Sequence, residues 1–446
     1  MGMNDTPSSE RKHIAFFGCR NAGKSSLLNA VTGQNLSIVS DVLGTTTDPV
    51  FKSMELLPAG PVVVIDTPGL DDVGELGEQR VKKAKEVLRK TDLAVLTVDS
   101  VKGFTEPDKE ILSAICEKNI PVIVVYNKSD ISEKDPKDDS DLIKDIIEKS
   151  SKKSDASSND SNDSEAKSND SNEFEAKSND SNDSKKKNNE SRIVEIKRVS
   201  AITHEGIHDL KETIAAILND TVNEKVLIGD LVELGDIVVL VVPIDKAAPK
   251  GRLILPQQQT IRDLLDHGAI PIVCRDSELE NVIAKYKNDI KLVVTDSQAF
   301  KKVSAIVPEE IPLTSFSILF SRYKGELDYQ LEGVEAIKEL KDGDYVLIAE
   351  GCTHHRQCGD IGTQKIPAML AKKANVQIDF TQGTEYPDDL SKYKVVIHCG
   401  GCMLNEKEMK ARIEAAKSKN IPVTNYGMTI AYLTGVLERS MKPLGK

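Results

Sequence analysis

Short apolar runs recur along most of the chain, and most end in a turn signal. HIAFFG (13–18), PVVVIDTPG (61–69), LAVLTVDS (93–100), IPVIVVYNKSD (120–130) and IVEIKRVSA (193–201) are rich in β-branched residues. Between them lie segments with helical periodicity: KSSLLNAVTG, about 76–90, about 106–118, and GIHDLKETIAAILND (206–220). Strands apolar on both faces, alternating with helices, predict a parallel sheet covered on both sides. The pattern then repeats twice. IVVLVVPI, AIPIVC and IKLVVTD alternate with TIRDLLDHG and SELENVIAKYK over about 223–313. DYVLIAEG (344–351), VQIDFTQG (376–383), YKVVIHCGG (393–401) and IPVTNYG (421–427), with the helix NEKEMKARIEAAKSKN (405–420), fill 314–446. The expected architecture is α/β throughout, in three domains: 8–222, 223–313 and 314–446.

One segment breaks the pattern. From Ser132 to Ser191 the composition collapses to Ser, Asn, Asp, Lys and Glu, with near-repeats of EAKSNDSN at 165–172 and 175–182. Such a stretch cannot bury enough apolar surface to offset its ordering entropy. It reads as an insertion at about 132–191, disordered over roughly 150–190. A loop expansion of this kind is cheap, because closure entropy grows slowly with length.

The whole chain has 446 residues, no Trp and a net charge of −12. That balance argues against a broad nucleic-acid surface, which needs clustered Lys and Arg. Seven cysteines in a chain this long do not suggest a disulfide framework. A reducing cytoplasm fits them better. No apolar run reaches membrane-spanning length, and the N-terminus lacks the apolar core of a secretory signal.

GCRNAGKSS fits G-x-x-x-x-G-K-[ST] with Gly18, Gly23, Lys24 and Ser25, after an expected strand and at the start of an expected helix. In such a loop Asn21, Ala22 and Ser26 also face the phosphates. Backbone N–H groups and the helix N-terminus cradle phosphate, Lys24 reaches the β- and γ-phosphates, and Ser25 ligates magnesium. DTPG (66–69) ends the next expected strand: Asp66 can hold magnesium through water, and the Gly69 N–H can sense the γ-phosphate. In NKSD, Asn127, Lys128 and Asp130 form a base-reading loop. A carboxylate there accepts from guanine N1–H and the 2-amino group, which adenine does not offer in the same way. At Ser200-Ala201 a backbone N–H can reach guanine O6. These motifs resemble the translation-factor-like small GTPases over residues 12 to about 220, so the nucleotide is expected to be GTP.

Leu70 follows DTPG where Ras-like enzymes carry a water-positioning Gln, which predicts slow turnover. VSDVLGTTTDP (39–49) resembles a TrmE/Era-type switch. That resemblance implies magnesium on Thr46, Thr45 in a potassium-holding loop and potassium on Asn21; an ordinary loop residue is the equal alternative for Asn21. The expected catalytic set is Lys24, Asn21, Thr46 and Gly69.

The C-terminal third carries a second constellation. EGCTHHRQCGD (350–360) presents Cys352 and His354, and VVIHCGGCML (395–404) presents His398, Cys399 and Cys402. Both follow expected parallel strands, at the edge where open α/β sheets bind ligands. Gly351, Gly400 and Gly401 leave room for backbone approach and N–H···S bonds. Three thiolates with an imidazole suit either a Cys3His zinc site or a cubane iron–sulfur cluster with one iron free of cysteine. A redox dithiol lacks a thioredoxin-like context. Cys358 reads as a surface thiol, and Cys19, Cys116 and Cys274 as small core residues.

GTTTDPV, IDKAAPKGRLILPQ, TIRDLLD and the CxH…HCxxC signature together resemble the HydF family of FeFe-hydrogenase maturation GTPases across nearly the whole chain, the low-complexity insertion excepted. The resemblance implies a GTPase and scaffold. Cys352, Cys399 and Cys402 would hold a 4Fe-4S cluster, with His354 and His398 as candidates for the fourth iron. The protein would carry a di-iron precursor to apo FeFe-hydrogenase, with HydE-type and HydG-type radical SAM maturases upstream. Residues 223–313 would form a homodimer and 314–446 the cluster domain. The rival expectation is an RNA- or ribosome-associated TrmE/Era-like GTPase with a structural zinc site.

Overall fold

In the computed structural model, residues 8–34, 48–69, 83–84, 86–132, 139–159, 194–220, 226–243, 253–324, 327–351, 360–383, 385–401 and 403–446 are described. The chain forms two compact units, Met1–Val222 and Asn223–Lys446. No helix among the described residues is long and apolar enough to cross a membrane.

The first unit is built on strands β1 (Lys12–Phe17), β2 (Val50–Leu56), β3 (Gly60–Asp66), β4 (Leu93–Asp99), β5 (Val122–Asn127) and β6 (Val194–Arg198). Their order is β2-β3-β1-β4-β5-β6. Side-chain alternation sorts β1 between two cores: Ile14 and Phe16 pack on one face with Leu27 and Ile214, while Ala15 and Phe17 pack on the other with Leu112 and Ile115. All pairings are parallel except β2 with β3. The strand β2 was not anticipated. It is a largely exposed edge, so its sequence lacks the apolar run that marks the interior strands.

One further departure concerns the insertion. The helix Ser140–Asn159 runs into the stretch expected to lack structure. Ile143 is buried in the core, Ile146 and Ile147 pack against it, and the Ser113 and Ser150 hydroxyls lie 3.1 Å apart. An apolar face at i, i+3 and i+4 thus anchors the helix whose far end is low-complexity. Most of the remaining insertion lies outside the described residues. Pro256 sits in the first turn of the helix Leu255–Asp266. A proline there sacrifices no hydrogen bond and has the right φ.

The second unit holds two four-stranded parallel sheets. One has the order β10-β9-β7-β8, from β7 (Ile237–Val241), β8 (Ile270–Cys274), β9 (Ile290–Thr295) and β10 (Leu313–Ser315). The other has the order β12-β11-β13-β14, from β11 (Tyr345–Glu350), β12 (Gln377–Gln382), β13 (Val395–His398) and β14 (Val423–Asn425). Val239 and Val293 share a core with Val334, Met428 and Ala431, so the segments 223–313 and 314–446 meet through buried apolar surface.

The helix Leu327–Lys338 packs tightly on β14. A Cβ on Gly333 would lie 2.3 Å from the Val423 carbonyl oxygen and 2.4 Å from its carbon. Gly333→Ala is therefore expected to destabilise the second unit by about 1–3 kcal/mol. A lower denaturant midpoint for that unit checks it; an unchanged midpoint would mean the helix can shift freely.

Candidate functional site

In the first unit the parallel register brings the strand ends together. Phe16 pairs with Asp66, Phe17 with Leu96, and Asp99 with Asn127. The expected phosphate loop, Gly18 to Ser26, therefore leaves β1 beside the ends of β3, β4 and β5. It is drawn tight. A Cβ on Gly23, whose φ is +86°, would fall 2.3 Å from Asn127 Nδ2, so no larger residue fits. Asn21 also takes a positive φ, 61°. Ala22 is buried and Ser26 is exposed. Lys24 is buried and its Nζ donates to the carbonyls of Gly18 (3.0 Å) and Cys19 (2.8 Å).

Ser25 Oγ donates to Asp66 Oδ2 at 2.8 Å. Asp66 Oδ1 is buried and has no hydrogen-bond partner among the described residues. Burial pushes the Asp66 carboxyl above its ordinary range, with Ser25 and Lys24 opposing. A hydroxyl and an orphaned carboxylate oxygen side by side fit a hard divalent cation, which would reverse that shift. Gly69 packs against the phosphate loop: a Cβ there would lie 3.0 Å from Arg20 Cα. Thr45, Thr46 and Leu70 lie outside the described residues.

The base-reading motifs converge through one buried amide. Asn127 Nδ2 donates to the carbonyls of Ala22 (3.1 Å) and Gly23 (3.4 Å), and its Oδ1 accepts from the Ala201 N–H (3.0 Å). Ser200 Oγ donates to Asp130 Oδ1 at 2.6 Å, which orients the carboxylate. Lys128 Nζ donates to Asp99 Oδ2 at 2.6 Å. Sequence reasoning missed Asp99. Burial pushes its carboxyl up, but Lys128 and the amides of Val101 and Lys102 outweigh this and hold it below the usual range. Cys19, expected in the core, is instead half-buried in the loop; its Sγ lies 3.4 Å from both Thr105 Oγ1 and Asp108 Oδ1. Cys116 and Cys274 are buried as expected.

In the second unit the register pairs Ala349 with His398 and His398 with Asn425. Cys399 thus emerges between the ends of β11 and β14. Its Sγ accepts the Gly351 N–H at 3.0 Å and the Gly401 N–H at 3.4 Å. Cys352 and Cys402 are the next residues in sequence after these two glycines. Cys352, His354, Cys358 and Cys402 themselves lie outside the described residues. Two amides on one sulfur favour its thiolate form, the form that binds metal, so this part of the site fits a thiolate-bound metal group.

Other polar groups crowd the same edge. Glu350 is buried and accepts from the Tyr426 hydroxyl at 3.2 Å. Burial, with Cys399, Glu350 and Asp360 nearby, pushes the Tyr426 phenol far above its ordinary range. His398 is buried; its Nδ1 lies 2.8 Å from the Cys399 carbonyl oxygen and its Nε2 lies 3.1 Å from Arg412 Nη1. Arg412 was also missed. Its signal was present: on the helix Glu406–Lys417 it falls on the buried face with Met409, Ile413 and Ala416.

Comparisons with known proteins divide along the same lines. Residues 13–128 match a family described as 50S ribosome-binding GTPase, 227–325 the hydrogen maturase F dimerization domain, and 328–443 the hydrogen maturase F tetramerization domain. The chain is 43% identical over 135 residues to the tRNA modification GTPase MnmE of Thermoanaerobacter sp. (strain X514), covering 30% of this chain and 29% of that protein. It is 36% identical over 149 residues to the GTPase Der of Clostridium perfringens (strain SM101), covering 32% and 34%. The chain thus spans only about a third of these relatives' own lengths. A solved structure of the bacterial selenocysteine-specific elongation factor EF-Sec aligns at 21% identity and a TM-score of 0.30, over 48% of this chain and 30% of that one. The first unit contains a GTPase domain, and the matches to the second support assembly into oligomers.

Asn127→Ala removes three hydrogen bonds that join the phosphate and base loops. It is expected to destabilise the first unit by about 2–4 kcal/mol, read as a lower unfolding midpoint; a change under a tenth of that would show the loops hold without it. Asp99 gives a pH signature. Its folded pKa is depressed, so its contribution is full above the unfolded value, near pH 4, and is lost as pH falls through the folded value. Asp99→Asn should flatten that acid-side loss by about 1 kcal/mol or less, seen in unfolding midpoints recorded downward from about pH 5.

Proposed function

The chain belongs to the hydrogen maturase F family, and we propose that it is a GTPase and scaffold that holds a 4Fe-4S cluster and delivers a di-iron precursor to apo FeFe-hydrogenase. The observation that carries the cluster reading is the Cys399 sulfur, which accepts amides from Gly351 and Gly401. Cys352 and Cys402 directly follow those two glycines in the sequence. Three thiolates at the edge of a parallel sheet would hold the cluster. When bound, it supplies an iron without a cysteine ligand, open to exchange.

The nucleotide site does separate work. Lys24 places positive charge against the β- and γ-phosphates. Ser25 and Asp66, with Thr46, hold magnesium. The Gly69 N–H reads the γ-phosphate, and Asp130 reads guanine, with Ser200 fixing its orientation. Gly18, Ala22, Gly23 and Ser26 supply backbone and hydroxyl donors to the phosphates, while Asn127 and Ala201 lock the base loops to them. Asn21 and Thr45 would hold potassium. Hydrolysis is slow because Leu70 cannot orient water, so GTP acts as a switch that biases contacts with partner proteins. These partners are the apo-hydrogenase and maturases of the HydE and HydG type, in the cytoplasm.

Assembly follows from the edges. The strand β8 ends its sheet with Ile270 and Val273 about half exposed, and pairing across a two-fold axis would cover it. The tetramerization-domain match supports assembly beyond the expected dimer. An RNA-directed role, suggested by relatives named for tRNA modification, rests on the first unit alone, and the net charge of −12 opposes it.

Anaerobic reconstitution with iron and sulfide tests the proposal. The wild type is expected to take up about four irons per chain and Cys399→Ser to lose most of them; one zinc and no iron would overturn it. Lys24→Ala should reduce GTP hydrolysis by about tenfold or more without changing iron content. If it also leaves affinity for partner proteins unchanged in GTP, the switch role fails.

A further inference from the structure

Behind the Cys399 loop lies an ionic centre closed off from solvent. Arg412, Glu408 and His398 are each 2% exposed. Each nitrogen of the Arg412 guanidinium makes a hydrogen bond. Nε donates to Glu408 Oε1 at 3.0 Å, Nη1 to His398 Nε2 at 3.1 Å and Nη2 to the Gly383 carbonyl at 2.6 Å. Its central carbon lies 5.1 Å from the centre of the Tyr386 ring. Burying a guanidinium is costly even when it is paired, and the hydrophobic alternative at this position would be ordinary core.

The geometry points to a role in ordering the thiolate loop. Arginine only donates, so His398 Nε2 must accept and the ring proton must sit on Nδ1. From there it is donated to the Cys399 carbonyl at 2.8 Å. The Cys399 N–H in turn donates to the Ala349 carbonyl at 2.8 Å. Both peptide groups of Cys399 are therefore fixed, one by the sheet and one by His398, and the sulfur is left to the glycine amides of the loop. We propose that Arg412 is a positioning residue: it fixes the His398 tautomer so that His398 orients the backbone of Cys399, and His398 does not serve as a metal ligand. The chain Glu408–Arg412–His398–Cys399 is of the kind that orients metal ligands from behind. This inference rests on the reading of Cys399 as a cluster ligand for its purpose, though not for its geometry.

The full chain labelled with ¹⁵N-histidine tests it in two arms. In the metal-free protein, His398, assigned by the signal lost in His398→Gln, is expected to show a protonated Nδ1 and an unprotonated, hydrogen-bonded Nε2. The reverse tautomer overturns the proposal, whether or not iron binds. In the reconstituted, reduced protein, pulsed EPR should give the same nitrogen couplings for wild type and His398→Gln; loss of a strong coupling would make His398 a ligand and overturn it. Arg412→Met, judged against its own metal-free unfolding midpoint, should lose iron to a chelator about tenfold faster. An unchanged rate would deny Arg412 the positioning role. A wild type that takes up no iron would sink the cluster reading alone, since the tautomer still decides the geometry.

Discussion

Parallel strands in register must end together, and their loops must leave from one edge. Each unit depends on that constraint. Hydrogen bonding between β1, β3, β4 and β5 fixes where Gly18, Asp66, Asp99 and Asn127 stand. The same bonding between β11, β13 and β14 fixes Glu350, His398 and Asn425. Long crossovers cost the chain loop entropy. In return, residues far apart in sequence are held at that edge within hydrogen-bond reach.

At the edge of the first unit, the organising group is an amide. Asn127 both donates and accepts, so one side chain ties the carbonyls of the phosphate loop to the amide of the base loop. A carboxylate or hydroxyl could not do both with the same geometry. Around it the charged groups are paired off, Lys128 with Asp99 and Ser25 with Asp66, leaving one carboxylate oxygen buried with no hydrogen bond from the described residues. That oxygen is where the local electrostatics call for a cation.

At the edge of the second unit's C-terminal sheet, the organising group is a sulfur. The Gly351 and Gly401 amides approach Cys399 from two loops. Behind it the support is ionic. Arg412 is buried at a cost that apolar packing would have avoided, and its donors go to a carboxylate, an imidazole and a carbonyl from three different parts of the chain. The Cys399 sulfur thus meets backbone amides, while its carbonyl is held by His398 and the ionic group behind it.

The sequence by itself determined the α/β class, the phosphate loop, the base-reading motif and the CxH…HCxxC signature. Each is a local pattern: a period, a glycine at a turn or a short spacing, and local patterns follow from covalent geometry and burial. It also marked the low-complexity insertion, although not where the helix entering it ends, because Ile143, Ile146 and Ile147 carry order past the point where composition fails. The exposed edge strand β2 left no apolar run to read. What only the tertiary structure decided were partnerships across long sequence gaps. Asp99 meets Lys128 and Arg412 meets His398 because strand register and helix packing bring them together. A charged residue on the apolar face of Glu406–Lys417 announces that something buried must neutralise it, but its partner is fixed only when the sheet has formed.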